Sequence, residues 1–598
     1  GASVLSARAR PMLRQPTVWS WGPVQAVPVP LHAPNAGLMR HSTCQLSCKP
    51  WHGFEKLAVP QVPRPDPRAV VALAALRRLQ LELPRQAKGQ KWHGVNYGNR
   101  FIPEDWMRHP YNFFQGLRRS ARRVALWDLS GPDAKRRMLS WLDETIQEWH
   151  FAEMQSYGVE VLRVPCGYWN WMVPEQGPEV SGVYATNAIR ERLRNLHRIA
   201  RPAEYQEYFD RIFHFAEKYG IQVLLDLHAV PGSQNGEIHS GVCIESGEEN
   251  VSFFQNEANL KMAVQAVREM ARYARSKSNL FGVQVISEPH LHSDEGHEFL
   301  RQYYHEAILA AREFLDASVP IMLFEWTYEM HRWDGRSFPE QTYGRVFWDT
   351  HLYHFPDKGK TWTSQNNGLE QAKESYAWDL QQLRHFARQE TVLVGEFSMA
   401  GPCLNQQETQ QFAQWLVEQF DFACAGSLMW SFDNRLIAWS MQRQVKDWGF
   451  NWKRLFDNEA TRCGGAVGFQ AAAFGTWLSA TEKGAVEADA LESNWWEEWV
   501  PYNYRVQGKA KVALRSAAHG TWLSVTKEGE VTQSDHRSAW EEFSVLFHTE
   551  QEGQQCISLQ SFHGSWLSVR RFRPSDRLLL QAAYSIHDAE VATAWLVS

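Results

Sequence analysis

Two glutamates, Glu288 and Glu396, close short apolar runs, in the segments Ile286-Ser-Glu-Pro289 and Gly395-Glu-Phe-Ser398. A charged group at the end of an apolar run is costly unless it faces a polar cleft. Two carboxyls opposed across a cleft are what glycoside cleavage requires. One protonates the leaving oxygen, and the other attacks C1 or activates water. If they stand about 5–5.5 Å apart, the second is a nucleophile and configuration is retained. In that arrangement Glu288 is the general acid/base and Glu396 the nucleophile. The acid must hold a proton, so the Glu288 pKa is expected to be raised by burial and by the charge of Glu396. Arg163 and His351 are candidates to keep Glu396 ionised, and Tyr353 to donate a hydrogen bond to it. One glutamate at a strand end is equally well read as a structural ion pair; the two together are not.

The elements that must position these groups lie between residues 91 and 455. Eight short apolar runs, at 92–97, 159–165, 221–228, 281–287, 320–326, 346–352, 392–397 and 426–431, read as strands buried on both faces. Helical patterns lie between them, at 134–155, 203–219, 256–276, 297–314, 371–388 and 408–420. Pro202 opens the second helix, and Asn405 and Gln406 precede the last. This alternation implies right-handed βαβ units on a parallel sheet, and eight of them close into an α/β (β/α)₈ barrel. An open doubly wound sheet is the alternative, but no strand is followed by its GxGxxG turn. In a barrel the reactive groups come from the C-terminal strand ends. Those ends carry Asn96 and Glu104, Arg163, Asp226 and His228, Ser287 and Glu288, His351 and Tyr353, Glu396, and Trp430.

At these residues the chain resembles glycoside hydrolase family 5, a family of retaining (β/α)₈ enzymes, and within it the fungal exo-β-1,3-glucanases. The resemblance runs in order over residues 91–440. It rests on Gly94-Val-Asn-Tyr-Gly98 with Glu104-Asp-Trp106, on Leu162-Arg-Val-Pro165 with Gly167-Tyr-Trp169, and on Asp226-Leu-His228 with Gly232-Ser-Gln-Asn-Gly236 and Ser240-Gly241. It continues through Ile286-Ser-Glu-Pro289, Asp349-Thr-His-Leu-Tyr353, Gly395-Glu-Phe-Ser398 and Leu428-Met-Trp-Ser431. The resemblance implies Glu288 as acid/base and Glu396 as nucleophile. It implies that Arg163, His228, His351, Tyr353 and Trp430 hold the sugar and the carboxylates, and that Glu104 binds hydroxyls of a terminal glucose. Two positions depart from the pattern. Ser287 stands where the family has Asn, which donates to the sugar 2-OH; a serine in the substrate site reaches less far. Losing one such donor corresponds to roughly 10²–10³ in rate, by analogy with an oxyanion-hole donor. Arg100 stands where the subgroup carries an aromatic residue.

Outside the barrel the chain changes character. Residues 1–90 read as an irregular extension with one helical pattern at 66–83. No Asp or Glu precedes Glu55, which resembles an organelle transit segment and equally suits a plain tail. Residues 466–598 carry an internal repeat: Phe474-Gly-Thr-Trp-Leu-Ser479, His519-Gly-Thr-Trp-Leu-Ser524 and His563-Gly-Ser-Trp-Leu-Ser568. Trp496-Glu-Glu-Trp499 recurs as Trp540-Glu-Glu-Phe543. Three copies with glycine turns predict a β-trefoil, and the repeat resembles fascin-like domains, with Trp477, Trp522 and Trp566 expected in its core.

Composition excludes some partners. A net charge of −5 gives no electrostatic reason for a nucleic-acid partner, and no apolar run is long enough to span a membrane. The eight cysteines form no paired zinc pattern and read as free buried thiols, with one or two disulfides as the alternative. No metal or organic cofactor is implied, because carboxylates and water suffice. The expected partner is a β-glucan or oligosaccharide substrate, either β-1,3-linked or mixed, in a secreted or organellar setting. Transglycosylation and simple glycan binding are the alternative functions, and a scaffolding role for the tail ranks below them.

Overall fold

The computed structural model describes residues 91–597 other than 108–112, 118–123, 175–176, 180–185, 244–251, 292, 334–336, 354–367, 402–403, 457–460, 463–465, 507–508, 548–554, 573–576, 584–590 and 593–594. The expectations for residues 1–90, the 66–83 helix included, lie outside the described residues, as do Cys44, Cys48, Cys403 and Cys463. Cys166 and Cys424 are buried free thiols. Among the described residues no helix is long and apolar enough to cross a membrane.

Each apolar run forms a strand: β1 Trp92–Asn96, β2 Val161–Gly167, β3 Gln222–Ala229, β4 Leu280–Gln284, β5 Ile321–Phe324, β6 Val346–Leu352, β7 Val392–Phe397 and β8 Gly426–Met429. They pair in parallel and in chain order, and β1 pairs back to β8, closing a barrel. Along β2, Leu162, Val164 and Cys166 point outward into the core under the helices, whereas Val161 points inward. Val161 joins Leu224, Phe281, Met322, Phe347, Leu393 and Leu428 in an apolar plug inside the barrel. Side chains alternate along a strand. The inward row therefore runs from Val161 to Arg163, from Leu224 to Asp226 and His228, and from Phe347 to Asp349 and His351. One layer above the plug the barrel interior becomes charged. On β7 the same alternation, counted from Leu393, would turn Glu396 outward. Register shifts beside Thr350/His351 and between Val394 and Phe397 bring it inward instead.

The helix expected at 134–155 is two helices, Ala134–Thr145 and Glu148–Ser156. The Thr145 carbonyl accepts from the Tyr97 hydroxyl and from Arg100 Nε, and Ile146 is extended. Tertiary donors thus replace the next helical N–H, and the chain turns there. Side-chain caps hold other helix starts, Asn256 accepting from Ala258 N and Asn405 from Glu408 N. The strand expected to run to Ser287 ends at Gln284, so Ser287 and Glu288 lie in the following loop.

The C-terminal residues form an all-β, antiparallel unit. Equivalent leucines of the three copies, Leu478, Leu523 and Leu567, meet in one core with Trp499, Phe543 and Trp595. The Trp-Glu-Glu segments serve a purpose the pattern does not reveal. Buried Glu497 accepts from the Ser479 hydroxyl and the Asn494 N–H, and buried Glu541 accepts from Ser524 and Ser538 in the same way. The expectation that the three repeat tryptophans are hydrophobic core holds for Trp522 and is corrected for the other two. Trp477 and Trp566 are half-buried, because the adjacent leucines fill the interior. Trp522 packs in a separate cluster with Phe422 of the barrel.

Candidate active site

Arg163 is the centre of the charged layer and is fully buried. Its Nε donates to Gln284 Oε1 at 2.9 Å. Its Nη1 donates to Asn96 Oδ1 at 2.9 Å and to Glu396 Oε1 at 2.7 Å. Its Nη2 donates to Ser287 Oγ at 3.1 Å and lies 3.0 Å from Asp226 Oδ2. Burial works against the guanidinium charge, but Asp226, Glu396 and Asp349 together hold its pKa above the ordinary value. A buried arginine with this many anionic and polar partners is stabilised by its geometry, and removing any partner would strand the rest.

The other oxygen of Glu396, Oε2, accepts from the Tyr353 hydroxyl at 2.7 Å. Burial and the Glu396 charge push the Tyr353 pKa well up, so the phenol stays a donor. His351 Nε2 faces Asp349 Oδ2 at 3.2 Å, and its Nδ1 faces Glu288 Oε1 at 2.5 Å. Burial alone would lower the His351 pKa; Glu396, Asp349 and Glu288 raise it to about 10. The sequence reading gives His351 to Glu396, yet it stands nearer Glu288, with Glu396 Oε2 at 3.4 Å. One carboxylate oxygen of Glu288, one of Glu396 and a ring nitrogen of His351 all lie within 4.8 Å of one another. So close an approach of the two carboxylates fits the short separation of the retaining class.

The expected rise in the Glu288 pKa is corrected. Burial does raise it, but hydrogen bonds and charge from His239 and His351 reverse the direction and hold the carboxyl well below the usual range. The sequence alone places neither imidazole on Glu288. The backbone of Glu288 has φ of 46°, in the left-handed region that non-glycine residues rarely adopt. The loop after β3 clamps this conformation. Gln234 Nε2 donates to the Ser287 carbonyl at 2.8 Å, and Asn235 Nδ2 donates to the Glu288 carbonyl at 3.1 Å. Strain held in this way clusters at functional sites.

The remaining expected residues surround this pair. His228 Nδ1 meets Asp226 Oδ2 at 2.6 Å, and its ring stacks on Trp430 at 6.0 Å. Trp430 packs with Trp439, Trp106 and Tyr353. Glu104 accepts from Trp106 Nε1 at 2.7 Å, and its charge is felt by His239. Ser287 is fully buried, and its hydroxyl supports Arg163. Arg100 is also buried, gripping Asp433 with two N–H groups over the Tyr97 ring. It forms part of the wall, not the cleft surface. Sequence reasoning assigns no role to Gln284, Asp349, Asn235 or His239. Asp349 and Asn235 lie inside the family-like motifs, and the other two carry no local signal.

Residues 125–436 match the family model described as Cellulase (glycosyl hydrolase family 5). Glucan 1,3-beta-glucosidase of Blumeria graminis is 26% identical over 305 residues, 48% of this chain and 63% of that protein. Glucan 1,3-beta-glucosidase 1 of Schizosaccharomyces pombe is 28% identical over 271 residues, 44% of this chain and 59% of that protein. The chain thus spans about three-fifths of the length of these curated relatives. Among solved structures, a rutinosidase from Aspergillus niger matches with TM-score 0.45 and 16% identity, covering 60% of this chain and 97% of that one.

Proposed function

This chain belongs to glycosyl hydrolase family 5, and on that premise we propose that it is a retaining β-glucan hydrolase acting on β-1,3-linked or mixed-linkage chains. The observation that carries this reading is the pair of carboxylates that bring one oxygen each within 4.8 Å, one of them held by an arginine and a tyrosine. Glu396 attacks C1 while Glu288 delivers a proton to the departing oxygen, giving a covalent glycosyl-enzyme. Water then attacks C1, losing a proton to Glu288, and Glu396 leaves. Arg163 and Tyr353 occupy one oxygen each of Glu396, which fixes the carboxylate before attack. The names of the fungal relatives support a β-glucan as substrate. The three equivalent repeats with their common leucine core support a β-trefoil for the C-terminal unit.

The test is hydrolysis of laminarin and an aryl β-glucoside by the wild type and by Glu396→Gln, with the product anomer followed by NMR. The β-anomer is expected first, and the substitution is expected to reduce kcat by roughly 10³-fold or more. Release of the α-anomer, or full activity in Glu396→Gln, would remove the double-displacement reading.

A further inference from the structure

Resting on that reading, we propose that His239 is a positioning residue for the acid/base, sharing one proton with Glu288 across the 3.1 Å between His239 Nε2 and Glu288 Oε2. The two oxygens of Glu288 are held separately, Oε1 by His351 and Oε2 by His239. His239 comes from the turn Ile238–Ser240, anchored where Ser240 Oγ meets Ser233 Oγ at 2.8 Å. Its side chain is 17% exposed and that of Glu288 is 14% exposed, so the pair reaches the cleft without being open to bulk water.

Asn235 bears on how tightly His239 keeps the shared proton. Its Oδ1 accepts from the Glu237 N–H at 3.1 Å, and its Nδ2 donates to the Glu288 carbonyl at 3.1 Å. These two contacts fix the amide nitrogen at the position that faces His239 Nε2 at 2.8 Å. An imidazole nitrogen has one in-plane lone pair, so Nε2 either accepts from Asn235 or carries the proton toward Oε2, not both. With the proton on Nε2 instead, two donors face each other. Facing donor to donor, Asn235 offsets part of what the nearby carboxylates give the imidazolium and eases the proton's passage from His239 through Glu288 to a glycosidic oxygen.

The groups facing this pair are Glu237 from the same loop, His228 on β3 with its ring 5.5 Å away, Glu104 after β1, His351 on β6, Glu396 on β7 and the Tyr328 phenol after β5. Burial lowers the His239 pKa, but Glu288, Glu104 and Glu237 raise it to about 9, so the pair keeps its proton past neutrality. In glycosylation that proton passes to the glycosidic oxygen, which takes the electrons of the breaking C1–O bond as Glu396 bonds to C1. In deglycosylation a water proton returns to the pair, the water oxygen bonds to C1, and Glu396 departs with its electron pair.

The test compares His239→Ala and His239→Gln with the wild type on laminarin-type oligosaccharides and on 2,4-dinitrophenyl β-glucoside, whose leaving group needs no proton. General-acid assistance is worth about 10²–10⁴ in rate. Both variants are expected to lose about 10–100-fold in kcat/KM on the oligosaccharide, as a partial loss of that assistance. They should lose less than about threefold on the activated glucoside, where no assistance is used. The alkaline limb of the oligosaccharide profile should move down by about one pH unit or more, since the proton then leaves the carboxyl alone. Equal losses on both substrates, or an unmoved limb, would overturn the proposal. A second measurement does not depend on turnover: ¹⁵N NMR titration of His239 in the wild type and in Glu288→Gln. A titration above the ordinary histidine range that falls in Glu288→Gln supports the shared proton, and identical titrations overturn it. A wild type that hydrolyses no β-glucoside would sink the functional reading alone, because this titration still reads the pair.

Discussion

Glu325, at the top of β5, shows how one residue can carry the pH response of the fold. It is 1% exposed, and both of its oxygens are held by neutral donors. Its Oε1 accepts from the Trp326 N–H at 2.8 Å, and its Oε2 accepts from Trp333 Nε1 at 2.6 Å. Those donors favour the carboxylate, but burial outweighs them and pushes the pKa up to about 7. The folded protein therefore binds a proton that the unfolded chain has released, from about pH 4.3 upward to the folded value. With more protons on the folded state, stability falls as pH rises through that window and levels off above it. Chemical denaturation at pH 5, 6, 7 and 8 should show the wild type losing ground to Glu325→Gln step by step as pH rises. Histidines shared by both proteins cancel in the difference, so a flat difference across this range would mean that Glu325 does not titrate there.

At the scale of elements, the site depends on two strands approaching more closely than side chains allow. A Cβ at Gly395 on β7 would stand 2.1 Å from Asp349 Oδ1 on β6, the atom that accepts from the Gly395 N–H at 2.7 Å. Gly395→Ala must push Asp349 aside, and Asp349 is what orients His351 and receives Gln284 Nε2 at 2.8 Å. The variant should lose about 1–3 kcal/mol of stability, as overpacked cores do. It should also lose kcat by more than KM changes, because the carboxylates move relative to each other; a wild-type denaturation midpoint and kcat would count against this. The strands themselves were legible because burial on both faces leaves an apolar run that no surface element imitates. Arg163, His351 and Glu396 were legible because a charge closing such a run is too costly to bury unless it lines a polar cleft. The break at Ile146 was not legible, since it depends on Tyr97 and Arg100 arriving from the end of β1. His239 was not legible for a related reason. It sits in a loop with no period, and only the strained backbone of Glu288 and the fixed Asn235 amide bring it to the carboxyl.

At the scale of the molecule, the all-β unit is fastened to the flank of the barrel, well removed in sequence from the strand ends that bear the carboxylates. Phe422, in the helix Gln406–Ala423, packs with Val500, Tyr502, Ala513 and Trp522. The Arg515 guanidinium lies 4.4 Å from the Phe422 ring and 5.2 Å from that of Trp522, and it donates to the Glu418 carbonyl. From the barrel side Arg384 Nε donates to the Ala518 carbonyl at 3.0 Å. Burial, with some repulsion from Arg515, pushes the Arg384 pKa down to about 9. An apolar seam flanked by buried arginines with backbone acceptors does not separate cheaply, since parting it exposes aromatic surface and breaks charged hydrogen bonds. The two units should therefore unfold in one calorimetric transition. Phe422→Ala removes the ring from which the barrel holds this seam and should cost about 3 kcal/mol or more, by the usual loss for a buried phenylalanine. Because that ring faces the all-β unit, the loss should appear first in the tryptophan signal of that unit, as a separate transition below the main one. A wild type that already melts in two steps, the lower of them unmoved by Phe422→Ala, would mean that the seam is contact without coupling.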